Sequence, residues 1–375
     1  MADSSNVRRY FAAVLAAFPG APRGDESLRF AATPRWSLVP RWPYPRIPYF
    51  ATTADDTGLL TLKARIEIRD GGFHPDVHVR DIISSLLLDC ITGRGECICL
   101  DIGANIGFMS LMMLQLNASV VSIEPQPDFA RALSESSRYN GWSQRIRVLN
   151  GGATHERRAG TLRLAGNYRY GARQLRTYGP VPTYPIDMLL VPGTEFKYIK
   201  IDTDAIDCEL LHVITRAVVS KRVSVRSITL ETSGSQCTPT LLGRSLFDLS
   251  QLGFRVYRIM MPHRRFNERG WDEKRHYQPL GDLLPSFVDE VMMQRSIRYM
   301  WRLHQLSNVD AWAQAVELLT QLSVTCQFLV TREELGTPFS VDEGFACHPP
   351  KKCAKMFSGL LPSTHYHGFR NDSTR

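Results

Sequence analysis

The chain of 375 residues reads as an α/β protein with a doubly wound, mostly parallel sheet of the Rossmann-like kind and a helical insertion. Three observations predict this class. From residue 97 onward, short apolar runs alternate with segments of helical spacing, the pattern of right-handed βαβ crossovers. The first such run, 97–100, ends in Asp101-Ile102-Gly103-Ala104-Asn105-Ile106-Gly107, whose glycines permit a turn too tight for a Cβ before a helix over 108–116. The next strand, 120–123, delivers an acid, Glu124, at its C-terminal end.

The elements follow in order. Residues 1–58 form a Pro- and Arg-rich lead-in, with Pro34, Pro40, Pro43, Pro45 and Pro48 leaving little room for regular structure. Within it, apolar residues 10–18 follow Arg8-Arg9 and read as an N-terminal helix; a short signal or transit segment is the alternative. Residues 59–96 supply a strand over 60–68, closed by Gly71-Gly72, and a helix over 79–91 on Ile82, Ile83, Leu86 and Leu87. This segment packs under the core or lids the ligand.

The core spans 97–261. Its later elements are a helix over 129–139, strands over 146–149 and 196–201, and a helix over 206–218 whose Ile206, Leu210, Val213, Ile214 and Ala217 share a face. A strand over 225–230, a helix over 241–252 stopped by Gly253, and a strand over 254–259 complete it. Residues 262–323 form an insertion whose second half has helical spacing, through Val288, Val291 and Met292 and then Trp312, Val316 and Leu319. Residues 324–335 carry the final strand of the core, and 336–375 are a basic tail.

Charge narrows the ligand. An acid about 20 residues beyond a glycine loop is placed to accept hydrogen bonds from ribose hydroxyls. The glycine spacing is G-x-x-x-G, and Asp101 ends the strand before it, where a carboxylate attracts an ammonium or sulfonium and repels a phosphate. S-adenosylmethionine has ribose hydroxyls, two cationic centres and no phosphate. Gly152 and Ala153, in the loop after the third core strand, lie near the adenine ring by position or form an ordinary turn.

Asp101 to Gly107, Glu124-Pro125, Lys200-Ile201-Asp202-Thr203-Asp204 and Val181-Pro182-Thr183-Tyr184-Pro185-Ile186-Asp187 together resemble the signature segments of the FkbM family of S-adenosylmethionine-dependent methyltransferases. The resemblance covers about residues 97–259. It implies a sheet of the class above that ends in an antiparallel hairpin, with 324–330 as the hairpin's second arm, and methyl transfer to a hydroxyl of a small molecule or glycan. By this resemblance and by position, Asp101, Gly103, Ala104, Asn105, Gly107, Glu124, Pro125, Gly152 and Ala153 bind the cofactor. Asp202, Asp204 and Glu231 line the acceptor, and no metal is required. One departure is Ala205, where the family usually has glycine.

Asp204 and Asp207 have a plainer reading as helix caps, and Glu231 as an acid at a helix start. His212 shares the polar helix face with Glu209 and Arg216 and is read as a surface residue.

The net charge of +8 is concentrated between residues 145 and 176, where Arg145, Arg147, Arg157, Arg158, Arg163, Arg169, Arg173 and Arg176 face a single acid, Glu156. Tyr168, Tyr170 and Tyr178 interleave with them, so the stretch is either a solvated hairpin or a site for an anionic substrate. That keeps an RNA ribose methyltransferase as an alternative function. A non-catalytic binding module on the same fold is the other alternative, and a dehydrogenase a third. No apolar run approaches the roughly 20 residues of a membrane span. Eight cysteines in so long a chain are expected as reduced thiols. The expected location is cytoplasmic, with the short N-terminal signal or transit segment as the alternative. Cys347, His348, Cys353, His365 and His367 match no compact zinc spacing.

Overall fold

The computed structural model describes residues 5–19, 36–39, 49–52, 82–83, 86–91, 96–156, 161–165, 174–177, 181–203, 206–233, 237–259, 288–292, 300–303, 305–321 and 325–333. The expected strand over 60–68, Asp204, Ala205, most of the arginine and tyrosine stretch and the C-terminal Cys/His group lie outside them.

Helix α1 (Ser5–Ala17) buries Val7, Tyr10, Phe11 and Val14, the stripe that its apolar spacing dictates. Tyr10 meets Phe196 edge to face at 5.4 Å, so this part of the lead-in belongs to the core. Strands β1 (Trp36–Val39) and β2 (Tyr49–Thr52) form an antiparallel pair, and α2 (Leu88–Ile91) follows.

The central core then follows in sequence as β3 (Ile98–Ile102), α3 (Phe108–Gln115), β4 (Ser119–Glu124), α4 (Pro127–Tyr139) and β5 (Ile146–Asn150). Strands β3 and β4 are buried at every position, as central parallel strands are when helices cover both faces. A second, four-stranded sheet comprises β6 (Gly152–Thr154), β7 (Thr161–Ala165), β8 (Gln174–Thr177) and β9 (Val181–Pro185), followed by α5 (Ile186–Leu189). The core resumes with β10 (Glu195–Ile201), α6 (Asp207–Val219), β11 (Ser224–Ser233), α7 (Pro239–Gln251) and β12 (Arg255–Ile259). It ends with β13 (Val288–Met292), β14 (Met300–Leu303), α8 (Val309–Gln321) and β15 (Thr325–Thr331).

The main sheet has the order β13-β14-β12-β15-β11-β10-β3-β4-β5. Strands β5, β4, β3, β10 and β11 run parallel, and β15 inserts antiparallel between β11 and β12. This is the expected doubly wound sheet with its closing hairpin. Chain order reverses between β3 and β10, which opens a crevice at their C-terminal ends. Helices α1, α6, α7 and α8 cover one face, and α3, α4 and the residues Ile82, Ile83, Leu86, Leu87 and Cys90 the other. Gly243 allows α7 and α8 to close on each other, since a Cβ there would lie 2.6 Å from the Ala313 nitrogen.

Two expectations are corrected. Val288–Met292 is a strand, paired antiparallel with β14, which itself pairs with β12. Five residues of helical spacing cannot nucleate a helix against an open sheet edge that offers ladder hydrogen bonds. The cysteines are also not all reduced. Cys90 is bonded to Cys97 and Cys208 to Cys237, across Cα separations of 5.7 and 5.5 Å, while Cys99 is a buried free thiol. The fold brings each pair within bridging range, which no local spacing reveals.

Candidate functional site

The parallel strands end in a row. Glu124 terminates β4, Gly103 and Asp202 follow β3 and β10, and Glu231 lies within the last residues of β11, which continues to Ser233 beyond the strand end expected at 230; the four strands are neighbours in the sheet. Between them runs the glycine loop, with Gly103, Asn105 and Gly107 at φ values of 79°, 55° and 94°. A Cβ on Gly103 would overlap the Asp202 carbonyl oxygen, and one on Gly107 would overlap the Leu133 side chain. Glycine is therefore dictated at both places by close approach as well as by φ. Asn105 accepts the left-handed conformation and caps the next turn, its Oδ1 accepting from the Ile106 N–H at 2.7 Å.

Glu124 holds this loop to β4. Its Oε2 accepts from the Asn105 N–H at 2.7 Å and its Oε1 from the Gln126 N–H at 2.8 Å, and the intervening Pro125 has no N–H to compete. Each oxygen keeps acceptor capacity for a further hydroxyl. The residue is only 3% exposed, and burial pushes its carboxyl up to about 7 against the pull of the two N–H groups and the charge of Lys200.

Beneath the loop lies a buried polar cluster. Asp101 is fully buried: its Oδ2 accepts from Ser110 Oγ at 2.5 Å, and Ser110 lies 2.8 Å from Ser122 Oγ. Lys200, beside Asp101 in the β3–β10 ladder, extends to Asp202, where Nζ is 3.0 Å from Oδ2. Burial alone would lower the pKa of Lys200, but Asp202 and then Asp101 outweigh it and raise it, so the ammonium persists. Asp101 thus contacts Ser110 and Lys200 rather than the open crevice. Sequence reading missed Lys200, although a lysine at a central position of an apolar parallel strand is itself a signal, because such a charge is buried only with partners.

Asp202 and Glu231 line one small, partly open recess together with Met109, Lys200, Thr229 and Gln327. Glu231 accepts from Gln327 Nε2 at 2.7 Å across the β11–β15 ladder. The Asp202 side chain is 30% exposed, which leaves it reachable. Asp207 is the first residue of its helix and no side chain caps that end; its Oδ1 instead accepts from the Thr203 N–H at 2.6 Å and the Thr203 hydroxyl at 2.9 Å in the preceding turn, against the cap expectation. His212 lies 3.4 Å from Ser245 Oγ between helices, outside this recess.

Gly152 and Ala153 belong to β6, beside the end of β4, where the Gly151 N–H donates to the Glu124 carbonyl at 3.0 Å. Ala153 is buried in the core with Tyr184, and a Cβ on Gly151 would meet the Tyr184 ring at 2.5 Å, so packing explains this glycine. Two arginines of the basic stretch have structural tasks. Arg145 donates to the Leu114 carbonyl at 2.6 Å, and Arg147 donates to the Ile146 carbonyl at 2.7 Å while lying over the Phe11 ring. Among the described residues, no three His, Cys, Asp or Glu side chains gather as metal ligands. No described helix is long and apolar enough to cross a membrane.

No known family profile matches the chain, and no curated protein matches its sequence. Solved structures do. A putative methyltransferase, yhhF, from Escherichia coli is 10% identical, with 61% of this chain and 87% of that chain covered and a TM-score of 0.28. The YcgJ protein of Bacillus subtilis is 12% identical over 67% of this chain and 98% of its own, with a TM-score of 0.28. A putative sarcosine dimethylglycine methyltransferase from Galdieria sulphuraria is 11% identical over 69% of this chain and 86% of its own, with a TM-score of 0.32. Likeness at these scores carries no argument about function, and the fold rests on the strand order itself.

Proposed function

We propose that this chain is an S-adenosylmethionine-dependent methyltransferase that acts on a hydroxyl of a small molecule or glycan. The observation that carries the reading is the row of carboxylates at the reversal of strand order. Glu124 lies on the β4 side of the glycine loop, and Asp202 and Glu231 lie on the other side in a shared recess. Such a rim suits a ligand with ribose hydroxyls and positive charge and repels a diphosphate. Gly103 and Gly107 seat the loop directly against Asp202 and Leu133, which fixes its backbone beside the rim.

The bound donor supplies a methyl group on a sulfonium sulfur. Glu124, oriented by two backbone N–H groups, receives ribose hydroxyls. Asp202 keeps Oδ2 on Lys200 and would orient the acceptor hydroxyl and take up its proton. Glu231, steadied by Gln327, borders the same recess. Positioning supplies most of the rate, because in-line displacement needs the nucleophile held close and stripped of water. The two disulfides support an oxidising compartment over the cytoplasmic expectation.

The test pairs calorimetry with product mapping. Folded protein should bind S-adenosylhomocysteine, and metabolite and glycan fractions treated with protein and donor should gain one methyl per acceptor as an ether. Asp202→Asn should bind the product normally yet transfer about 100-fold more slowly or worse. Absence of any binding heat from well-folded protein refutes the reading.

A further inference from the structure

Lys200 stands at a junction of three parts of the site. Its Nζ lies 3.0 Å from Asp202 Oδ2, 3.2 Å from the Gly103 carbonyl oxygen and 3.6 Å from Asp101 Oδ1. The contacts differ in kind. At 3.6 Å the Asp101 contact is an attraction of charges without a hydrogen bond, and that oxygen has no hydrogen-bond partner. The directional bonds of the ammonium go to Gly103 and Asp202, one on the glycine loop and one in the recess. An ammonium has three N–H groups and can serve both at once.

The same junction is reinforced by backbone. The Asp202 N–H donates to the Ile102 carbonyl at 3.0 Å, and Gly103 lies so close to Asp202 that no Cβ fits. The loop is pinned on its other side by the Gly103 and Ala104 N–H groups, both 3.0 Å from the Ile123 carbonyl. Lys200 is thus the side-chain link on the side facing the recess, which it also lines.

We propose that Lys200 is a positioning residue that couples the glycine loop to the Asp202 carboxylate, so that one ammonium sets the donor side and the acceptor side of the site together. Its part in methyl transfer rests on the function proposed above; the mechanical link does not. The competing role is charge balance, in which Lys200 serves merely to neutralise buried Asp101. Lys200 is protonated throughout, so it neither takes nor gives a proton in the reaction.

The experiment separates these roles by removing the buried charge first. Lys200→Met alone strands Asp101 in the core and can unfold the protein, so the informative comparison is Asp101→Asn against Asp101→Asn with Lys200→Met. If Lys200 couples the two sides, adding Lys200→Met speeds hydrogen exchange of the Gly103 and Ala104 amides about tenfold, without a comparable change in β11. It also raises the Kd for S-adenosylhomocysteine about tenfold, the loss expected for a charge-assisted hydrogen bond. Lys200→Arg, in the wild-type background, should retain the slow exchange. Unchanged exchange in the double variant overturns the proposal, whatever the binding result. Faster exchange in a series whose folded wild type takes up no S-adenosylhomocysteine leaves the link standing and removes the donor reading instead.

Discussion

Lowering the pH from about 8 to about 6 should weaken S-adenosylhomocysteine binding about tenfold through one carboxyl, that of Glu124. Burial pushes this group from its ordinary 4.5 up to about 7, with the Gln126 and Asn105 N–H groups and the Lys200 charge pulling the other way. The difference corresponds to about 3 kcal/mol. Both oxygens already receive an N–H, so the ionised form can take ribose hydroxyls as a pure acceptor, whereas a proton on either oxygen disturbs the set. With a midpoint near 7, about nine-tenths of the protein is ionised at pH 8 and about one-tenth at pH 6, and apparent affinity falls by that ratio.

Calorimetry across this range, in two buffers of different ionisation heat, should also show release of nearly one proton on binding at about pH 6. In the unliganded protein the sign for stability runs the opposite way from an ion-paired carboxylate. Because the folded state holds the proton more tightly, Glu124 destabilises the fold above about 7, and that cost of about 3 kcal/mol is relieved as pH falls toward 4.5. The difference between wild type and Glu124→Gln in denaturant melts at several pH values isolates it from other groups. A flat binding profile with no proton release would refute the reasoning.

Two further substitutions follow from the geometry. Gly103→Ala should cost roughly 2–4 kcal/mol, since it combines positive φ with overlap on the Asp202 carbonyl, whereas Gly141→Ala, at φ 74° with nothing within 4 Å, should cost about 1 kcal/mol. Urea unfolding of the two variants compares them directly. Non-reducing peptide mapping should recover Cys90 joined to Cys97 and Cys208 joined to Cys237. Paired replacement of Cys208 and Cys237 by serine should lower stability by about 3–4 kcal/mol, given a separation of 29 residues, and an unchanged melting temperature would contradict that bridge.

Much of the fold was legible because its signals are local. The expected strands over 120–123, 146–149 and 196–201 fall within Ser119–Glu124, Ile146–Asn150 and Glu195–Ile201, since buried parallel strands are written as continuous apolar runs. The helix over 206–218 shows equally well through its apolar stripe. Val288–Met292 did not show, because at a sheet edge the partner strand decides the conformation. Of the expected site, Glu124, Gly103, Asn105, Asp202 and Glu231 come to one rim, while Asp101 turns under the loop and Ala153 packs in the core.

By itself the sequence determined where the glycine loop turns and which runs are buried, consequences of side-chain period and of glycine's freedom at positive φ, whereas Asp101 and Glu231, expected at strand ends, lie within their strands. Only the tertiary structure decided which charges meet. Lys200 and Asp101 are nearly a hundred positions apart, as are Glu231 and Gln327, and each pair is joined by strand register. A buried charge persists only beside its counter-charge, and that neighbour is chosen by the closing of the sheet, which no local pattern encodes.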